Sequence, residues 1–314
     1  MIDTVPSSTC QEAVSYIKSL LSKDFVPKIG IACGTGLNSI ADLIVESRVE
    51  VLFTQIPGFV HSTVLTKAPG KLVFGIIEDT PVVALTGSCK YYEGYTLRQV
   101  TLPIRVMKLL GITTLIVTNA SASLNPDLKV GDIGIVEDHI SLPSISGLNP
   151  LVGPNYSKMG PRFLSMSEAY CFKLRKLAFQ VWLKSPELMK RKVELKDCVY
   201  CYTVGPSFET RAECEALCRL GGDVVGSSSI PEVQVARHCN IDVLCLTLIT
   251  TVAHGYTKKS AKEAAINELE GVSSPLSATS NDIFHFHDNG SSNKSGLSRH
   301  ADLVSLIKKV INEL

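Results

Sequence analysis

The chain has 314 residues, 31 of them Lys or Arg against 30 Asp or Glu, and 45% are hydrophobic. A net charge of +1 supplies no uniform field for nucleic acid or an anionic membrane surface, and the apolar share excludes disorder over most of the length. A chain of this size buries a sizeable core without disulfide or metal staples.

The most apolar run, Ile241 to Ala253, carries Asp242 and falls short of the roughly 20 residues that cross a bilayer. The opening MIDTVPSSTCQEAV has neither a basic nor an apolar leader region, so no secretory signal is expected. Ten cysteines in such a chain point to reduced thiols and a cytoplasmic location. Cys198/Cys201 and Cys214/Cys218 have spacings reminiscent of metal ligands. The first pair lies in the strand-like run CVYCYTV and the second one turn apart on a helix-like run, so both read as structural thiols.

In chain order, a helix over Gln11–Leu21 precedes an apolar strand at Lys28–Cys33. Gly34-Thr35-Gly36 then turns into a helical run, Asn38–Val45. Strands are predicted at Lys71–Ile77, Pro81–Leu85, Thr114–Thr118 and Asp132–Val136, with Cys198–Val204, Asp223–Val225 and Val243–Thr250 further on. Helices fall between them at Thr101–Leu110, Ser167–Leu183, Glu209–Leu220 and Pro231–Cys239. The alternation predicts an α/β fold. The stretch from about Tyr256 to Ser298 is rich in Ser, Asn, Lys and Gly and reads as a polar loop or insertion. Its His285-Phe286-His287-Asp288 patch reads as solvated and not as a metal site. An amphipathic helix, His300–Leu314, closes the chain with Leu303, Ile307 and Ile311 on one face.

Five segments at strand ends carry chemistry. Gly34-Thr35-Gly36 suits an anion at a helix N-terminus or a bare tight turn; Ser39 occupies the third glycine position, so the dinucleotide fingerprint fails. TGSCKYYEGY places the cation of Lys90 and the phenol of Tyr92 after a strand, with Glu93 available to tether the loop. VTNASASLNP opens a strand into small residues whose backbone can donate to a ligand. VGPSFET sets Phe208 beside Glu209, an aromatic face next to a carboxylate, suited to a planar base. VVGSSSIPEV puts serines before a Pro-initiated helix, another anion-friendly arrangement. Together they describe a site for an anion, a sugar and a base.

The motifs CGTGL, YYEGY, LPIRVMKLLGI, VTNA with SLNP, DHISLP, GPSFETRAEC and VVGSSSIPEVQVARHC, in this order from about Pro27 to Thr251, resemble the trimeric purine nucleoside phosphorylases. The resemblance implies a mixed central β-sheet flanked by α-helices, in a single domain over residues 1–314. It implies phosphorolysis: phosphate attacks C1′ of a purine nucleoside, releasing the base and leaving (deoxy)ribose 1-phosphate, with no metal or organic cofactor. It implies a phosphate cradle of Thr35, Lys67, Ser88, Lys90, the backbone of Ala120, and Ser228. Tyr92 and Ser227 are implied at the ribose, with His300, or alternatively His254, at its 5′-hydroxyl. Phe208, Glu209 and Thr251 are implied at the base, with Glu209, Thr251 and His300 taking part in catalysis. Met159 occupies the position at which a neighbouring subunit of a homotrimer lends a side chain to the sugar. His61 and His139 read as structural, and His238 as a packing residue.

The departures from the family pattern fall in this site. Ser88-Cys89-Lys90 stands where the family shows an Arg-aromatic-His run, and Lys67 where it shows a second His. A lysine cannot reproduce the bidentate arginine fork, although formal charge is kept. Thr251 replaces the usual Asn at the N7 edge of the base and has one donor where the amide has two, and Ser227 replaces a usual Met. These changes imply an enzyme of altered specificity or reduced activity; the alternative is an impaired member serving as a nucleoside-binding or regulatory protein.

Overall fold

The computed structural model describes residues 7–62, 69–190, 194–254, 260–270 and 299–314. Among them nine strands form one sheet: β1 (Ile29–Ala32), β2 (Glu46–Leu52), β3 (Lys71–Ile77), β4 (Thr80–Thr86), β5 (Thr114–Ser123), β6 (Ile133–Ser141), β7 (Leu195–Tyr202), β8 (Val224–Gly226) and β9 (Asp242–Val252). The helices are α1 (Ser7–Leu20), α2 (Leu97–Val100), α3 (Leu102–Leu110), α4 (Leu142–Ile145), α5 (Phe172–Leu183), α6 (Pro186–Lys190), α7 (Arg211–Arg219), α8 (Ile230–His238), α9 (Ala261–Leu269) and α10 (His300–Asn312).

The sheet order is β2-β3-β4-β1-β5-β8-β7-β6-β9, and β9 pairs back onto β5, so the last five strands close on themselves. β4, β1, β5 and β9 run parallel, whereas β8, with β7 and β6 beside it, runs the other way. The central strands are apolar on both faces because both are covered. Along β5, Leu115 and Val117 join the core beneath α1, α3 and α8, while Ile116 joins the opposite core with α5 and α10. The period of two that sends alternate side chains to opposite faces explains this division. Leu303, Ile307 and Ile311 of α10 are buried together, as their spacing predicts.

Several expectations change: β6 runs on to Ser141, five residues past its predicted end, and the helix expected from Ser167 begins at Phe172. β2 is an additional edge strand that alternates charged residues with valines. β5 continues to Ser123, five residues past its predicted end, because β9 pairs along it throughout. Within the polar stretch, Ala261–Leu269 is a helix, started by Ser260, whose hydroxyl accepts from Glu263 N–H at 3.2 Å. His285, Phe286, His287 and Asp288 lie outside the described residues, and among those described no three His, Cys, Asp or Glu side chains converge as metal ligands do.

Candidate active site

β5 changes its neighbour partway along one edge. Thr114–Val117 pairs with β1 and Ala122–Ser123 with β8, so Thr118 to Ser121 has neither strand beside it on that edge. β1 and β8 run in opposite directions, and their carboxyl ends therefore face each other across the gap. The turns leaving them, Gly34-Thr35-Gly36 and Ser227-Ser228-Ser229, meet in a pocket whose lining includes Gly34, Ser88, Lys90, Thr118, Ser228, Ser229 and Glu232. Such a break in strand order is where α/β sheets place their ligands.

Each wall has a local cause. Gly34 N–H donates to Thr118 Oγ1 at 3.2 Å, and a Cβ on Gly34 would stand 2.5 Å from the Thr118 carbonyl oxygen. Only glycine fits so close to another backbone. Lys90 Nζ donates to Ser88 Oγ at 2.9 Å and pairs with no carboxylate among the described residues. Glu93 does tether the loop, accepting from Lys90 N–H at 2.8 Å and from Ser62 Oγ at 2.5 Å. Ser229, at the start of α8, has φ +76 and receives a hydrogen bond from Asn119 Nδ2 at 2.9 Å. The helix start directs partial positive charge at the pocket, while Glu232 brings a carboxylate to its lining.

The residues expected at the sugar and the base lie on adjoining elements. Tyr92 and Ser227 close on Gly205, whose missing Cβ would sit 3.2 Å from the tyrosine ring and 3.4 Å from Ser227 Cβ. Partial burial and the Glu93 carboxylate raise the Tyr92 phenol, keeping it a donor at neutral pH. After the cis Gly205-Pro206 bond, Phe208 is 47% exposed and Glu209 half-buried, directly before α7. A capping box fixes their exit: Thr210 Oγ1 accepts from Glu213 N–H while Thr210 N–H donates to Glu213 Oε2. Across β9, β5, β8 and β7, Thr251, Ala122, Val225 and Cys201 stand in register as a continuous row. Burial, Asp223 and then the Glu209 carboxylate push the Cys201 thiol up to about 12. The Thr251 hydroxyl is buried and finds no partner among the described residues.

The remaining predicted residues separate into three groups. Thr35 is exposed on its turn and Ala120 half-buried in the β5 gap, both beside the pocket lining. Lys67 lies outside the described residues. His300 and Met159 bond to residues outside the pocket lining. His300 opens α10 and is 3.1 Å from Ser39 Oγ, in the 3-10 segment after the Gly-Thr-Gly turn. His254, half-buried, follows β9. The Met159 thioether lies against Arg105 and Cys239 of its own chain. Cys239 closes α8 at the end opposite Ser229, and nine residues span about 13 Å, so Met159 does not reach its own chain's pocket. His61 is exposed, whereas His139 bonds Tyr170 and His238 bonds Arg105 and Asn155, consistent with structural roles.

Thr118, Asn119, Gly205, Ser229 and Glu232 were missed by residue-level reading. All lie inside the five quoted segments, yet their roles depend on contacts across the gap that spacing along the chain does not carry.

Residues 28–278 match the family model described as the phosphorylase superfamily. The purine nucleoside phosphorylase of Bos taurus is 44% identical over 224 residues, 71% of this chain and 75% of that one. The purine nucleoside phosphorylase of Saccharomyces cerevisiae is 41% identical over 270 residues, covering 82% and 85% of the two chains. Among solved structures, Schistosoma mansoni purine nucleoside phosphorylase in complex with inosine superposes with TM-score 0.81 at 35% identity, over 99% of this chain and 98% of that one.

Proposed function

The chain belongs to the purine nucleoside phosphorylase family, and on that footing we propose that it cleaves the N-glycosidic bond of purine (deoxy)ribonucleosides with inorganic phosphate. It thereby acts as a pentosyltransferase of purine salvage. The observation that carries the reading is the β5 gap, where Lys90, three serines and a helix start line one pocket beside the Tyr92–Gly205–Ser227 junction.

In this reading phosphate is bound by Lys90, Ser88, Ser228 and the start of α8, with Thr35, Ala120 and Lys67 completing the cradle. Tyr92 and Ser227 face the ribose, which sits close enough to the phosphate for attack at C1′. Phe208 packs on the base, Glu209 accepts from its ring N–H, and Thr251 donates to the edge that gains charge as the bond breaks. His300 or His254 serves the 5′-hydroxyl. The reaction uses phosphate as co-substrate and no further cofactor. Because a hydroxyl supplies one donor where the family has an amide, turnover of 6-oxopurine nucleosides is lowered.

A homotrimer fits the exposed apolar side chains Leu142, Ile145, Val152 and Phe163 on the segment that carries Met159, which would then serve a neighbouring copy. A cytoplasmic location fits ten free cysteines. Among the described residues no helix is long and apolar enough to cross a membrane.

The test is base release from inosine, adenosine, 5′-methylthioadenosine and cytidine, each with and without phosphate. Phosphate-dependent release of a purine is the expected outcome. Phosphate-independent release would indicate hydrolysis, and binding without release a regulatory role.

A further inference from the structure

We propose that Asn119 is a positioning residue, one that keeps the start of α8 open to phosphate by drawing the Ser229 hydroxyl away from the helix cap. The inference rests on the phosphorolytic reading above. A serine at the N-cap ordinarily turns its hydroxyl onto the N–H of the second or third helical residue. In α8 the second is Pro231, which has no N–H, so Glu232 N–H is the donor that a capping hydroxyl would take. Ser229 makes no such cap bond. It adopts φ +76 and ψ −42, and its Oγ accepts from Asn119 Nδ2 at 2.9 Å. A non-glycine residue in this region is strained and persists only where its surroundings impose it.

Asn119 is built to impose it. Its side chain is 1% exposed, and Nδ2 also lies 3.8 Å from Cys245 Sγ on β9. Its Oδ1 is buried with no partner among the described residues, a cost to stability that packing alone does not require. The preceding residue performs the matching task on the opposite wall, for Thr118 Oγ1 accepts from Gly34 N–H and donates to the Ala32 carbonyl, both at 3.2 Å. Two consecutive residues of β5 thus hold the two turns that form the cradle.

The experiment is titration of the full chain with inorganic phosphate by calorimetry, together with steady-state kinetics, for Asn119→Ala and Asn119→Ser, neither of which reaches Ser229. Each variant is also tested in a Ser229→Gly background. Phosphate Kd and KM are expected to rise about tenfold in the single Asn119 variants, while the nucleoside KM stays within about twofold. In the Ser229→Gly background, with no hydroxyl to restrain, the same Asn119 substitutions should change phosphate affinity by less than about twofold. Unchanged phosphate affinity in the single variants overturns the inference, and so does an equal loss in both backgrounds. An unaltered chain that binds no phosphate overturns the phosphorolytic reading and this inference with it.

Discussion

Tyr92 and Ser227 approach the same point from two loops, and Gly205 is the residue that leaves it empty. A Cβ there would stand 3.2 Å from Tyr92 Cδ1, and the backbone φ is +65. Gly205→Ala is therefore expected to cost about 1–2 kcal/mol in stability through the left-handed backbone. It should also raise the nucleoside KM by pushing the tyrosine aside, with the phosphate KM nearly unchanged. Thermal denaturation and two-substrate kinetics measure the two effects separately; a uniform fall in both affinities would mean that the loop has collapsed.

Thr251 presents the reverse balance between stability and activity. Its hydroxyl is buried without a partner among the described residues, and an unmade hydrogen bond costs roughly 1–3 kcal/mol. Thr251→Val keeps the shape and deletes that polar atom, so the ligand-free protein should gain stability. Loss of a donor to the departing base should lower kcat on the order of 100-fold. Thr251→Asn should instead raise kcat for inosine relative to adenosine. A valine variant that is both less stable and fully active would remove Thr251 from the base site.

The central strands were legible because both faces of the sheet are covered, which writes unbroken apolar runs such as Ile29–Ala32 and Val243–Cys245. β2 escaped notice because an edge strand buries little and ESRVEVL looks like surface. The end of β5 reads as a loop for a different reason. Thr118 to Ser121 are small or polar as a loop would be, and Thr118 lines the pocket, but β9 holds them as strand from the other edge. The residues proposed to touch ligands are visible as motifs at strand ends. Those that hold such residues in place, Asn119 and Thr118 above all, declare themselves only through contacts 84 to 110 positions away in the chain.

His300 gives the fold a pH dependence. Burial lowers its pKa in the folded chain, since a half-buried imidazole beside Ser39 loses hydration when charged. The unfolded chain, with histidine near about 6.5, then binds more protons than the folded one in this range. The contribution of His300 to stability is present above that value and is lost as pH falls through it and below. Thermal midpoints between pH 5 and 8 should drop on the acid side in the unaltered chain, and less so in His300→Gln. Equal acid sensitivity in both would assign the effect to another group.

Lys90 and Ser88 offer the most direct test of how the cradle holds an anion without an arginine. The ammonium donates to Ser88 Oγ at 2.9 Å, and no carboxylate among the described residues competes for it. Its charge is therefore available to phosphate, oriented by the hydroxyl and by the Glu93 tether on its backbone. Lys90→Met should reduce kcat/KM for phosphate by about 100-fold or more, because the missing charge acts on the developing transition state as well as on binding. Ser88→Ala removes the restraint on Lys90 together with one hydroxyl of the cradle, leaves the charge in place, and should cost about tenfold or less. Lys90→Arg keeps the charge but replaces a point cation with a planar fork that the Ser88 hydroxyl does not fit, so partial activity is expected. Raising salt should weaken phosphate binding in the unaltered chain more than in Lys90→Met, since the ion's attraction to Lys90 is screened. If Lys90→Met leaves phosphate kinetics and their salt dependence intact, the anion is held by some other part of the cradle.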